Sequence, residues 1–135
     1  MAGEIEIISM VNDELSHLPD LRSHFVRTME KMGKFRDCPD GQFEHKKKIL
    51  AKVNKKSILI LPLGFLSDER TKLLEFVINC PHQGLICILS DCISAVHEGI
   101  ISRHSGPVSI HSRDYEGVAR IQRKVQNYTQ ELAKV

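Results

Sequence analysis

The sequence predicts an α/β fold in which a parallel sheet of about five strands is covered by helices on both faces. Two observations predict it. Short apolar runs alternate about five times with stretches of helical periodicity, and two of these runs are apolar at almost every position. Parallel strands need crossover connections, which are usually helices, and strands covered on both faces lose the alternation of polar and apolar residues. The pattern therefore favours a helix between successive parallel strands.

The first half of the chain carries two predicted strands and two predicted helices. The first strand is rich in isoleucine, and the helix after it has apolar residues at spacings of three and four. Gly33 fits the end of that helix, and the segment after the second strand is dense in turn residues. The predicted elements are strands at 4–11 and 34–36, helices at 18–32 and 42–54, and a loop at 37–41.

The second half predicts three more strands, each followed by a helix. The runs SILILPL and LICIL are continuously apolar, which is typical of central parallel strands, and the strand near 107–111 is weaker. The strands are predicted at 57–63, 85–89 and 107–111, and the helices at 68–79, 93–102 and 114–134. The last helix is expected to bury Tyr115, Val118, Ile121, Val125, Tyr128 and Leu132. Together these elements predict a three-layer sandwich of the flavodoxin-like type.

Length and composition indicate one globular domain. The chain has 135 residues, 41% of them apolar and 27% charged, which excludes a disordered or fibrous protein. The net charge of +2 gives no strong global field for nucleic acid or membranes. The acidic start does not match a secretory signal, and no apolar run approaches the roughly 18 residues of a membrane span. We therefore expect a cytoplasmic protein whose four cysteines are free thiols.

The predicted connections lack the residues that several kinds of chemistry need. No glycine-rich loop follows the first strand, and the central strand ends in Pro62 and Leu63 where a phosphoacceptor receiver needs an aspartate. Asp13 and Glu14 resemble a receiver's acidic pair, but without that aspartate we expect a solvated strand end. The cysteines and histidines between 80 and 104 do not have the paired spacing of a structural zinc site. The sequence therefore predicts neither a metal nor a cofactor.

A lysine-rich stretch accompanies the second predicted helix. The main expectation is a solvated helix face, and the alternative is a contact with anionic lipid head groups or an acidic partner. Aromatic residues do not alternate with these lysines, so nucleic-acid binding is not expected. The residues concerned are Lys46, Lys47, Lys48, Lys52, Lys55 and Lys56.

The segment RDCPDG resembles the BB loop of the Toll/interleukin-1 receptor (TIR) domain family, whose usual form is Arg-Asp-x-x-Pro-Gly. The later segment SILILPLGFLSDE is similar to that family's central strand and following loop, and the first strand stands where its first box belongs. The segment KLLEFVINCPHQGLICILSD weakly resembles the B-cell adaptors for phosphoinositide kinase and their ankyrin-repeat scaffold relatives. The resemblance can be laid over nearly the whole chain, residues 1–135, as one divergent TIR-like domain.

The resemblance implies a cytoplasmic adaptor in signal transduction of the innate-immunity type. Such a domain associates with itself or with other TIR domains, and the implied recognition loop consists of Arg36, Asp37, Cys38, Pro39, Asp40 and Gly41. A proline stiffens this loop, which lowers the entropy lost on docking. A plain turn between a strand and a helix is the alternative explanation of the same residues.

The chain departs from the family pattern in several informative places. Pro39 lies one position before the place of the proline in the family's BB loop, and the tryptophan of the family's third box is absent. NAD-cleaving members of the family carry a catalytic glutamate after the central strand, and a two-residue shift is needed to match it with Glu75. An NAD-cleaving hydrolase that uses Glu75 is therefore the alternative function. A degenerate receiver-like binding domain is a third possibility.

Overall fold

The computed structural model describes residues 5–11, 15–16, 18–38, 43–53, 56–63, 69–80 and 82–133. Strands and helices alternate along these residues, as the sequence predicts. The strands are β1 (Glu6–Ser9), β2 (Lys34–Asp37), β3 (Ile58–Pro62), β4 (Ile86–Leu89) and β5 (Val108–His111). The helices are α1 (Pro19–Met32), α2 (Phe43–Ala51), α3 (Glu69–Asn79), α4 (Ala95–Ile101) and α5 (Tyr115–Ala133).

The strands form one parallel sheet in the order β2-β1-β3-β4-β5. β1 pairs with β2 on one side and with β3 on the other, so Ile8 lies between Arg36 and Leu59. The remaining pairs continue across the sheet, with Cys87 aligned to Ile60 and to Ser109. This order is that of the flavodoxin-like fold. The predicted α/β sandwich is therefore confirmed.

Every residue of β3 and β4 is buried. Successive side chains of a strand point to opposite faces of the sheet. Ile58 and Ile60 therefore enter the core on one face, while Leu59 and Leu61 enter the core on the other. A strand whose side chains are apolar on both faces of the sheet needs a helical layer on each face. This explains why the continuous apolar runs predict the centre of the sheet.

The two cores use different helices. α1 and α5 cover one face, where Phe25 and Val125 are buried against β1, β3 and β4. The rings of Phe25 and Phe35 meet edge to face, with their centroids 6.2 Å apart. α2, α3 and α4 cover the other face through side chains such as Leu50 and Leu74. No helix in the described part of the chain is both long and apolar enough to cross a membrane.

Three local differences from the sequence predictions have physical causes. Tyr115, predicted to be buried, is 59% exposed because α5 begins there and reaches the core only at Val118. Asp37 belongs to β2 rather than to a loop, because it pairs in register with Ser9 of β1. α4 starts later than predicted, because the Ser94 side chain caps it by accepting a hydrogen bond from the backbone N–H of His97.

The buried centre generates a stability prediction from two isoleucines. Ile60 in β3 is 0% exposed and Ile110 in β5 is 46% exposed. Ile60→Ala should lower the free energy of unfolding by about 2–5 kcal/mol, because it leaves a cavity between strand and helices. Ile110→Ala should change it by less than about 1 kcal/mol, since the side chain is half in solvent. Chemical denaturation measures both values, and equal losses would contradict this packing.

Candidate functional site

In sheets of this topology, ligands bind beyond the carboxyl ends of the strands, at the point where the strand order reverses. That point lies here between β1 and β3. The described residues there are Met10 and Val11 after β1 and Leu63 after β3, and all three are at least 97% buried. Residues 12–14, which include Asp13 and Glu14, lie outside the described part, as do residues 64–68.

Backbone hydrogen bonds hold these apolar strand ends in the sheet. The Met10 N–H donates to the Ile60 carbonyl at 2.9 Å, and the Leu63 N–H donates to the Leu89 carbonyl at 3.2 Å. Phosphoryl transfer to a receiver needs an aspartate at the end of β3. From Ile58 to Leu63 the chain has no carboxylate, so this described strand end offers no phosphoacceptor.

The predicted recognition loop starts from a strand at the edge of the sheet. Arg36 is exposed, whereas the Asp37 carboxylate accepts a hydrogen bond from the Arg22 guanidinium of α1 at 3.0 Å. Cys38 is 2% exposed, and its N–H donates to the Ser9 carbonyl at 2.9 Å. Because successive residues face opposite sides, Asp37 faces α1 and the Cys38 thiol enters the other core. The thiol is therefore not on a contact surface, which corrects its place in the predicted recognition set.

Burial also makes the Cys38 thiol a poor nucleophile. It raises the pKa of this thiol above the ordinary value, although Arg36 and Lys46 act in the opposite direction. Pro39, Asp40 and Gly41 lie outside the described residues. At the far end of the loop, Phe43 packs against the same core as Cys38. The loop therefore connects two residues that are fixed in one core.

The lysine-rich stretch does not form a single exposed patch. Lys46 is buried, because it precedes Leu50 by four residues and shares the inward side of α2. Lys47 lies over the Phe43 ring at 4.7 Å from its centroid and 3.1 Å from a Glu44 carboxylate oxygen. Lys48, Lys52 and Lys56 are exposed, and Lys55 lies outside the described residues. Including Lys46 in the patch was wrong, whereas a contact with anionic lipid or an acidic partner stays a prediction for the exposed lysines.

An ion pair that the sequence analysis missed joins the connections after β4 and β5. The Asp91 carboxylate accepts hydrogen bonds from the Arg113 backbone N–H at 2.9 Å and from its side-chain Nε at 3.0 Å. These hydrogen bonds lower the pKa of Asp91. Asp114 accepts from the Ser112 hydroxyl and from the Gly117 N–H, each at 2.8 Å, which lowers its pKa as well. Both carboxylates are thereby committed to holding the loop that leads into α5.

A basic groove of about 320 Å³ lies between β5 and α5. His111 is 5% exposed at its base, and its Nε2 lies 2.7 Å from the Ser109 hydroxyl. Burial, with Lys124 and Arg120 as further causes, lowers the pKa of His111. Its Nδ1 has no hydrogen-bond partner within the described chain. The groove is lined by Ser109, Ile110, His111, Arg120, Arg123, Lys124 and Asn127.

A stacked pair of histidines lies near the amino ends of β3 and β4. The His82 Nε2–H donates to the Ser57 carbonyl at 2.6 Å, and the His104 Nε2–H donates to the Gly84 carbonyl at 2.9 Å. Their rings stack with centroids 5.6 Å apart. A Cβ on Gly84 would lie 2.2 Å from the Ser57 carbonyl oxygen, so glycine permits this approach. Burial lowers the pKa of His82, the Ser57 hydrogen bond opposes this shift, and His104 adds to it.

The remaining candidate residues are dispersed. Cys38, Cys80, Cys87 and Cys92 are free thiols, and burial raises the pKa of Cys87 to about 11. Among the described residues, no group of His, Cys, Asp or Glu is placed to hold a metal ion. Glu75 is exposed on α3, next to the buried Leu74.

Comparisons with known proteins find structural similarity without sequence similarity. No family model matches the chain, and no curated protein matches it. A signal receiver domain from Vibrio parahaemolyticus superposes with a TM-score of 0.59 at 11% identity, covering 96% of this chain and 92% of that domain. A diflavin flavoprotein A3 from Nostoc sp. superposes with a TM-score of 0.50 at 7% identity, covering 99% and 96%. At these identities the likeness shows the flavodoxin-like fold alone.

The buried His82 generates a prediction on acid stability. Because the pKa of His82 is lowered from its ordinary value of 6.5, the unfolded chain takes up a proton before the folded chain does as the pH falls. The contribution of neutral His82 to the unfolding free energy is therefore complete above about pH 6.5. It is lost progressively as the pH falls from there toward the lowered pKa of the folded state.

Replacing this imidazole should reduce the acid sensitivity. The His82→Gln side chain can still donate to the Ser57 carbonyl but does not titrate. The fall in unfolding free energy between about pH 8 and about pH 5 should be smaller in this variant than in the wild type, as measured by chemical denaturation. An unchanged fall would show that His82 does not contribute to it.

Proposed function

We propose that this chain is a protein–protein interaction module that contacts its partner through the segment 36–41, in which the buried Cys38 anchors the loop and does not touch the partner. The supporting observation is that the loop starts and ends on residues fixed in one core. Cys38 is buried and hydrogen-bonded to β1, and Phe43 packs against the same core at the start of α2. A loop with fixed ends has less conformational entropy to lose when it docks on a partner, so more of the contact energy appears as affinity.

The charges at the start of the loop suggest how it selects a partner. Asp37 is held by Arg22, so its carboxylate contributes to the fold. Arg36 is exposed on β2, which is an edge strand of the described sheet. An exposed charge at an interface affects the choice of partner and the rate of association more than the affinity. Arg36 is therefore our candidate for the specificity-determining charge.

The finer proposal is a TIR-type signalling adaptor that binds a second copy of itself or another TIR domain. The resemblance of RDCPDG to the BB loop supports this assignment, together with the start of that segment in the last two residues of β2. The flavodoxin-like sheet is compatible with it. No contact or distance in the described residues favours an NAD-cleaving activity, since Glu75 lies exposed on the outer side of α3.

Sedimentation velocity over a wide range of protein concentration tests this proposal. The wild type should associate reversibly, and Pro39→His should weaken association because the loop loses stiffness. Arg36→Glu should weaken it at least about tenfold by reversing the exposed charge. Arg36→Glu should keep the wild-type unfolding free energy to within about 0.5 kcal/mol, because the Arg36 side chain is exposed. The same denaturation measurement on Pro39→His separates weaker association from a loss of folding.

Two matched variants control for the substitutions themselves. Pro107→His changes an exposed proline before β5, and Arg103→Glu reverses an exposed charge after α4. Both should associate like the wild type. Self-association that persists unchanged in Pro39→His and Arg36→Glu would remove this loop from the interface. A wild type that stays monomeric and does not bind another TIR domain would contradict the adaptor proposal.

A further inference from the structure

The sheet has an open edge at β5. Within the described residues, β5 is the last strand in the order, and only β4 pairs with it. The carbonyls of Pro107 and His111 accept hydrogen bonds from the N–H groups of Ile86 and Ser90 in and beyond β4. Because the N–H and carbonyl of one residue point to the same side of a strand and successive residues alternate, the N–H and carbonyl groups of Val108 and Ile110 point to the open edge.

A cationic stripe of α5 runs beside this edge. Arg120, Arg123, Lys124 and Asn127 follow the three- and four-residue spacing of one helix face, and all four line the groove. Arg120 is paired with Glu116 one turn earlier. Neither Arg123 nor Lys124 forms an ion pair with any other described residue. The groove therefore presents cationic groups whose charge the described chain balances only in part.

The strand side of the groove is suited to a peptide backbone. Ile110 is 46% exposed at the edge and offers an apolar contact, while His111 and Ser109 turn inward toward α5. Edge strands that are left open in this way are templates for pairing with another chain. Charged side chains beside such an edge then determine which chains can pair.

We propose that the groove between β5 and α5 binds an acidic segment of a partner protein, which adds in extended conformation as a new strand alongside β5. The open backbone groups of β5 would pair with the segment, Ile110 would contact its apolar side chains, and Arg123 and Lys124 would pair with its carboxylates. This surface lies at the opposite edge of the sheet from β2, which carries Arg36, so it goes beyond the function proposed above.

The dimensions favour an extended peptide over a small anion. Residues four apart on a helix are separated by about 6 Å along its axis. Side chains on one face of a strand repeat at about 6.6 Å. A strand running along β5 could therefore place alternate carboxylates beside Arg120 and Lys124 in turn. A single small anion would engage only one of these positions.

His111 provides a readout within the groove. The groups around it are Lys124 and Arg120 of α5 and the Ser109 hydroxyl of β5, which itself donates to the Cys87 thiol of β4 at 3.5 Å. Burial is the largest cause that lowers the pKa of His111, and the two cations lower it further. Carboxylates bound beside them would offset this effect, so the pKa of the imidazole should rise on binding.

Nuclear magnetic resonance titrations with designed peptides test the proposal. The probe is a blocked peptide of about seven residues in which Glu and Val alternate, a length typical of one strand. It should shift the backbone amide signals of Val108 and Ile110 and raise the pKa of the His111 imidazole. A peptide of the same sequence that is N-methylated at alternate residues keeps the charge but loses backbone donors, and should bind at least about tenfold more weakly.

Charge-reversed variants of the protein complete the test. Arg123→Glu combined with Lys124→Glu should weaken binding of the acidic peptide at least about tenfold. The matched control combines Arg27→Glu with Lys31→Glu, two exposed positions on α1, and should bind like the wild type. Arg36→Glu should also bind normally, which separates this surface from the loop at the other edge.

Several results would overturn the proposal. The first two are that the N-methylated peptide, or a peptide in which Lys and Val alternate, binds as tightly as the Glu-Val peptide. The third is that the Arg123→Glu/Lys124→Glu protein binds the Glu-Val peptide as tightly as the wild type does. The fourth is that the peptide shifts amide signals only on another face of the protein. Inorganic phosphate that reproduces the effects of the peptide on the Val108 and Ile110 amides and on the His111 pKa would also overturn it, in favour of a small-anion site.

Discussion

Because every residue of β3 and β4 is buried, this strand pair requires a helical layer on each face, and the rest of the structure depends on that requirement. Parallel pairing of these strands demands a crossover, which α3 supplies. The same requirement brings α1 and α5 to one face and α2 and α4 to the other. The apolar character of two short strands therefore determines the three-layer arrangement.

This arrangement confines polar chemistry to the ends and edges of the sheet. Leu63 fills the described carboxyl end of β3, and the carboxylates of Asp91 and Asp114 are held by hydrogen bonds in the neighbouring connections. The edges differ from the ends, since β2 carries exposed Arg36 and β5 carries half-exposed Ile110 beside the cations of α5. Among the described residues, these charged groups therefore lie at the edges of the sheet and in the connections beyond its strands.

The sequence allowed the fold to be predicted because the decisive signals are local. An apolar run or a helical spacing can be read within a few residues. Cys38 and Lys46 were assigned to surfaces because turn composition and charge are also local, whereas their burial depends on which core lies beneath them. Strand order is not local, so the Asp91–Arg113 pair and the β5–α5 groove could not be predicted from periodicity. The only local signal for that pair is that Asp91 and Arg113 each follow the end of a predicted strand by two residues.

The central claim is that β3 and β4, buried on both faces, form a rigid centre and that binding takes place at the edges of the sheet. Amide hydrogen exchange of the wild-type protein, measured at low and at high concentration, tests it most directly. The account predicts that β3 and β4 exchange slowest at both concentrations, and that the protection gained on concentrating the protein is centred on residues 36–43. Added protection centred on the outer surfaces of α3 and α4, or a β3 that exchanges as fast as β2, would contradict it.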